Sequence, residues 1–302
     1  MDTDIVEIKP AAPPATPPLP PRLERSWGSW RSLFNVGMTV LTVVATLIAI
    51  VPLFSVLYML LREGLDKFSW SVFTTLPAKG GFGNAIVGTL VMVGLAAALS
   101  VPIGILVGIY LSEFGGEGKG ATAIRFSAKV MTGIPSILAG VFAYALVVAA
   151  RKQFSAIAGG VALAILMLPV VILTAEEALR QVPRKMREAA YGLGCTHTQV
   201  VLKIVLPTAL PGVLTGVMLA VARAAGETAP LLFTALFSEQ WFAGDLSKQT
   251  ASLAVFIYNF ARRPSPEDVK LAWTASLVLV AVVLAINILA QQLTKGSKQH
   301  QR

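Results

Sequence analysis

Two charged residues interrupt an otherwise apolar stretch of this chain. Between Gly212 and Pro230, Arg223 and Glu227 stand among Val, Leu, Met, Ala and Gly. Four residues apart, they share one face of a helix and can pair. Counted from Thr208 at about 1.5 Å per residue, Arg223 falls roughly 22 Å into such a helix. Charges at that depth in a bilayer are costly and usually face a bundle interior or an aqueous path. Two readings are open. The pair can neutralise itself and fix helix packing. Alternatively, Arg223 attracts an anion while Glu227 balances its charge in the empty path and limits how tightly the anion is held, because a substrate held too well does not leave. Gly226 and Pro230 flank the pair, so local unwinding is expected there, and Thr228 completes the candidate path residues.

Other chemistry is sparse. Cys195 is the only cysteine, which excludes an intrachain disulfide, and His197 and His300 are the only histidines. A zinc, haem or iron–sulfur site is therefore not expected. No nucleophile–base pair lies in the apolar stretches. A phosphate-cradling loop needs Gly, four residues, Gly-Lys and then a hydroxyl residue. Around Gly118-Lys119 the first Gly is replaced by Glu113 and the hydroxyl by Gly120. The chain is thus expected to be no enzyme, with no catalytic or metal-binding residues and no cofactor of its own.

The elements that must position Arg223 follow from composition. Of 302 residues, 55% are hydrophobic and 14% charged, and the mean hydropathy is +0.71. This excludes an ordinary cytosolic enzyme and indicates a polytopic membrane protein of all-α class. The net charge of +9 is explained by positive loops at a membrane surface. No basic, aromatic-interleaved segment supports a nucleic-acid partner.

Six apolar stretches are each long enough to cross a bilayer, near residues 34–61, 84–111, 130–150, 157–174, 208–237 and 269–289. Prolines at 52, 102, 135, 169, 211 and 230 predict kinked, closely packed helices. Gly104 with Gly108, and Gly212 with Gly216, have the spacing of close helix contact. Residues 1–33 hold a Pro-rich run and are expected to form an extended tail. Asp2, Asp4 and Glu7 are unlike a signal peptide's basic start, so the first span should remain as an anchor. Lys and Arg gather in the loops on one side, which predicts that both termini are cytoplasmic, with residues 294–302 a second tail. The outer loop from Ser238 to Asp268 contains an alternating segment, Thr250 to Phe260. It suits an interfacial helix.

The polar loop between the fourth and fifth spans, about residues 183–207, carries Glu188-Ala189-Ala190, then Gly194, then Ile204-x-Leu206-Pro207. Small, helix-favouring alanines, a turn-permitting Gly194, and Pro207 at the start of the next helix predict a helix–turn–helix. On its residues alone it could also be a connecting loop with a basic face toward anionic lipid. The spacing resembles the EAA loop of permease subunits in binding-protein-dependent ABC importers. The resemblance implies that these seven residues dock on a separate ATPase, with Glu188 as polar anchor and Cys195 passive.

The stretch Ala222 to Ala235, with Gly226-Glu-Thr-Ala-Pro-Leu-Leu-Phe-Thr-Ala235, resembles the PstA-type permeases of phosphate-specific transport. So do Gly80 to Thr89, Gly133 to Ser136 and Ala251 to Phe260, although Ala254 stands where many relatives have Pro. The resemblance covers about residues 34–293. It implies a type I importer permease (MetI-like) fold in the bacterial inner membrane, carrying inorganic phosphate on a path lined by Arg223, Glu227 and Thr228. The implied partners are a PstC-like permease subunit, two PstB-like ATPase subunits that bind the ATP, and a PstS-like phosphate-binding protein docking on the outer loop. An importer of molybdate or sulfate would keep the coupling loop but lack the Arg223 to Ala235 wording. A channel or ion-driven carrier would need no coupling loop.

Overall fold

The computed structural model describes residues 30–299. Most of the Pro-rich tail, and His300, lie outside the described residues. The elements are α1 (Trp30–Gly64), α2 (Gly83–Ile109), α3 (Lys119–Thr132), α4 (Ser136–Ala143), α5 (Ala149–Arg151), α6 (Ala156–Arg180), α7 (Arg184–Gly192), α8 (His197–Val200), α9 (Leu206–Ala225), α10 (Ala229–Thr234), α11 (Leu253–Phe260) and α12 (Pro266–Gln299). No strand occurs among the described residues. Wide π-helical turns, Tyr110–Phe114, Tyr144–Val148 and Val201–Val205, extend α2, join α4 to α5 and join α8 to α9. Five helical segments are long and apolar enough to cross a membrane, and a bent pair, Lys119–Thr132 with Ser136–Arg151, makes a sixth if counted as one span.

The chain divides into two compact units, Met1–Ser55 and Val56–Arg302. In the first, α1 exposes Leu41, Leu47 and Val51. Its threonines hide their hydroxyls, Thr39 and Thr42 donating to the carbonyls of Asn35 and Met38 at 2.8 Å. That arrangement suits an apolar surrounding, where an unsatisfied hydroxyl is expensive.

In the second unit α2 and α6 share the most extensive contact. The spacing of Gly104 and Gly108 is used as expected, because a Cβ at either would come within 2.6 Å of Val171 or 2.7 Å of Ala175. Gly212 and Gly216 do the same for α9 on α6, where a Cβ at Gly216 would meet the Thr174 hydroxyl at 2.3 Å. Met92, Ala96, Leu163, Met167, Val171, Val213 and Ala220 fill the core between these three helices. Without a hydrophobic drive inside lipid, such close backbone approach supplies the packing.

Several expected boundaries shift. The third span does not start at Val130: residues 119–132 form a separate helix, and the chain turns by 105° before Ser136. Helix α3 ends at Thr132, and Pro135 disfavours a helical conformation for Ile134 before it, so helix resumes only at Ser136. Pro207 stands in the first turn of α9 as expected, but no loop precedes it, since helical backbone runs unbroken over His197–Ala225. Pro207 has no amide to donate, and the π turn just before it, closed by Leu206 N–H to the Val201 carbonyl, reshapes the ladder where that donor is missing. In the segment from Thr250 to Phe260 the helix starts only at Leu253, as α11, and much of it is packed within the protein. Leu253, Val255, Phe256 and Phe260 of α11 are buried, with Phe256 and Phe260 stacked at 4.0 Å in a cluster that includes Phe82 of the α2 cap and Leu271 of α12. Helix α12 continues to Gln299, through most of the expected C-terminal tail.

Candidate functional site

Helix α9 ends at Ala225 and α10 begins at Ala229. Gly226 N–H and Glu227 N–H close the end of α9 on the carbonyls of Arg223 (3.1 Å) and Ala224 (3.2 Å). Pro230, lacking a donor, fits the first turn of α10. The local unwinding expected around Arg223 and Glu227 is thus present. Arg223 Nε lies 3.6 Å from Glu227 Oε1, with the guanidinium side chain 52% exposed and the carboxylate 17%. Leu166, Met167 and Val170 of α6 wall the same spot. Thr228, half-buried, has no hydrogen bond from its hydroxyl among the described residues.

Comparison with two more shielded arginines, Arg125 and Arg187, sharpens this. Arg125 spends three donors, on Glu176 Oε1 (2.6 Å), the Gly116 carbonyl (2.9 Å) and the Leu111 carbonyl (2.7 Å). Arg187 does likewise, on Glu113 Oε1 (2.9 Å), the Val182 carbonyl (2.6 Å) and the Leu179 carbonyl (2.9 Å). Arg223 makes one loose ion pair and no hydrogen bond among the described residues. A guanidinium carries five N–H donors in a fixed fork suited to a tetrahedral or planar oxyanion. Those of Arg125 and Arg187 tie separate helices together; those of Arg223 make no hydrogen bond among the described residues.

The loop between α6 and α9 forms the predicted helix–turn–helix. Helix α7 ends in a turn with Gly194 at φ +80°, where Cys195 N–H reaches back to the Ala190 carbonyl at 3.1 Å. Thr196 and Gln199 form a reciprocal capping box for α8, satisfying two otherwise orphan donors. Glu188 and Ala189 are exposed, while Ala190 is buried. Glu188 has no ion-pair partner among the described residues. Leu193, at the tip, is 85% exposed. This is a surface able to seat another molecule. The assigned residues do not all share it: Ile204 and Leu206 pack against the bundle core with Cys195, and Pro207 is exposed.

Sequence reasoning missed the residues that fasten this loop. Glu113 entered only as a departure from a phosphate loop and Arg187 only as one more positive charge. Beside them a cavity of about 600 Å³, lined by Ser112, Glu117, Arg180, Arg184 and Tyr191 among others, opens between α7 and the end of α2.

The bundle of bent apolar helices has the length and composition of a polytopic membrane protein, and comparison with known proteins makes it a membrane transport component. The chain belongs to the family described as Binding-protein-dependent transport system inner membrane component, which matches residues 100–299. Among similar curated proteins are the "Phosphate transport system permease protein PstA" of Yersinia pestis, 40% identical over 83% of this chain and 87% of that protein, and that of Haemophilus influenzae, 40% identical over 82% and 89%. A "Probable phosphate transport system permease protein PstA" of Methanocaldococcus jannaschii is 37% identical over 80% and 86%. In structure the chain is similar to a bacterial alginate ABC transporter (TM-score 0.62, 15% identity, 88% of this chain and 96% of that one). It is also similar to an inward-facing MetNI methionine ABC transporter (TM-score 0.56, 19% identity, 76% and 99%).

Proposed function

We propose that the chain is a permease subunit of an ATP-driven importer of inorganic phosphate and forms the path together with a PstC-like subunit. Two PstB-like ATPases dock on the cytoplasmic side at the loop around Glu188, and a PstS-like binding protein delivers phosphate from outside. Both termini are cytoplasmic. The relatives named for phosphate transport support the substrate. The observation that carries the site is the open guanidinium of Arg223 at the break after α9, within an apolar span.

In the cycle, the loaded binding protein docks and ATP closes the ATPase pair. The closure displaces α7, and the continuous helix from His197 to Ala225 carries that displacement to Arg223. Phosphate entering the path exchanges Glu227 for its own oxygens on the guanidinium. When phosphate leaves, Glu227 re-forms the ion pair, so the empty path holds no uncompensated charge. Thr228 offers a hydroxyl beside the same break. No covalent step occurs in this chain.

Radiolabelled phosphate uptake by the reconstituted importer tests this. Arg223→Gln should reduce uptake at least a hundredfold with assembly intact. Normal uptake by that variant removes Arg223 from the path, and competition by molybdate or sulfate stronger than by unlabelled phosphate reassigns the substrate.

A further inference from the structure

The continuous helix through α8 and α9 is the obvious route from the exposed loop into the membrane. A second route is built into the opposite side of that loop, and it ends on α2. The π-helical turn Tyr110–Phe114 carries α2 beyond its regular end, and three contacts from the loop converge on it. Arg187 of α7 donates to Glu113 Oε1 at 2.9 Å, with the two side chains only 17% and 5% exposed. His197 Nε2 lies 3.2 Å from the Glu113 carbonyl, and its ring meets Phe114 edge-on with centroids 4.8 Å apart. The other nitrogen, Nδ1, is 2.6 Å from the Tyr191 hydroxyl, so His197 is itself braced by the far end of α7. Arg187 also caps the carbonyls at the end of α6. Glu113 receives a further hydrogen bond from the Ser112 hydroxyl at 2.7 Å.

The same turn is held from its other face. Arg125 of α3 donates to the Leu111 carbonyl while pairing with Glu176 of α6. Charge-assisted hydrogen bonds in a shielded place resist extension far more than van der Waals contact, which weakens steeply with separation. Helix α7 cannot shift without either carrying Glu113 with it or breaking a buried charge pair.

We infer that Glu113 is a positioning residue for transport: through Arg187 and His197 it makes α2 follow the loop, so that displacement of α7 moves two membrane helices together. The inference rests on the reading of the chain as a subunit of an ATP-driven phosphate importer. Helix α2 packs along α6 and also touches α9, and its close approaches to α6 at Gly104 and Gly108 leave no slack for it to lag behind.

The experiment uses the complete importer in proteoliposomes and reads phosphate imported per ATP hydrolysed. A merely structural role would lower the amount of complex, reducing both rates together and leaving that ratio unchanged. Glu113→Gln keeps the shape but removes the charge that Arg187 grips, and should lower the ratio about tenfold. His197→Ala, at an exposed position, loses the second fastening and assembles regardless; it should lower the ratio about twofold. The exchange of charges in Glu113→Arg with Arg187→Glu should recover part of the loss seen in either single change. A native ratio in His197→Ala and in any Glu113→Gln complex that assembles overturns the linkage. Failure of the native complex to import phosphate overturns the underlying reading instead.

Discussion

Gly194 permits a prediction in which backbone conformation is separated from steric crowding. Its φ is +80°, in the left-handed region, yet a Cβ placed there would meet nothing within 4 Å. Substitution therefore adds no clash, only the intrinsic cost of holding an L-residue in that region, about 1 to 2 kcal/mol for alanine. At 1.4 kcal/mol per factor of ten, alanine shifts the turn about tenfold toward other geometries. Valine, whose branched Cβ is worse suited to positive φ, shifts it further, and asparagine shifts it less because it tolerates this region. Gly192 is the internal control: it too has open space, but its φ is not positive, so Gly192→Ala should be neutral. The assay is phosphate import per ATP hydrolysed by the reconstituted complex, alongside ATPase retention on purification. The expected order is Gly, Asn, Ala, Val. Equal defects for Asn and Val, or a native ratio for Val, would refute the idea that this turn must keep its shape for the loop to act.

Gly216→Ala should lower the melting temperature in detergent, since its Cβ would sit 2.3 Å from the Thr174 hydroxyl and overpacking costs about 1 to 3 kcal/mol. Gly94→Ala, with open space around it, should not. Glu176→Ala strips Arg125 of its carboxylate and should destabilise the protein by about 3 kcal/mol, as loss of one partner of a buried pair does, visible as reduced yield of folded chain by size-exclusion chromatography. In the loop after α1, Lys270 at 2.8 Å holds the Asp66 carboxyl below its ordinary 3.8. A depressed folded value means a contribution present above pH 3.8 and lost as pH falls through the folded value. The melting-temperature gap between the native chain and Asp66→Asn should therefore exist at pH 6 and close on acidification below that point.

What the sequence revealed and what it hid follow from the range of the interactions. Apolar runs, prolines and small-residue spacing are local signals, so the approximate places of α1, α2, α6, α9 and α12 were readable. So was the break beside Arg223, because Gly226 and Pro230 lie within a few residues of it. The apolar character that continued smoothly from Val130 concealed the bend before Ser136, where the backbone restriction imposed by Pro135 prevails over hydropathy. The buried status of α11 depends on Phe82, far away in sequence, and no period within Thr250 to Phe260 encodes it. The same holds for the charge pairs. Arg125 and Glu176 are 51 positions apart, and Arg187 and Glu113 are 74 apart. A single sequence shows four separate charges at the edges of spans, and only the fold shows two pairs.

The unbroken helical backbone from His197 to Ala225 also sets an angular phase. Each residue of an α-helix advances the azimuth by about 100°. The direction in which Arg223 points is thereby fixed relative to the loop that begins the helix. The π turn at Val201–Val205 contributes to that phase, because it winds more residues into a turn than the helix on either side. Adding or removing one residue anywhere between His197 and Arg223 would leave composition and hydropathy untouched. It would swing the guanidinium through more than a quarter of a circle relative to that loop. On the proposed role of Arg223, the length of this helix therefore counts in single residues.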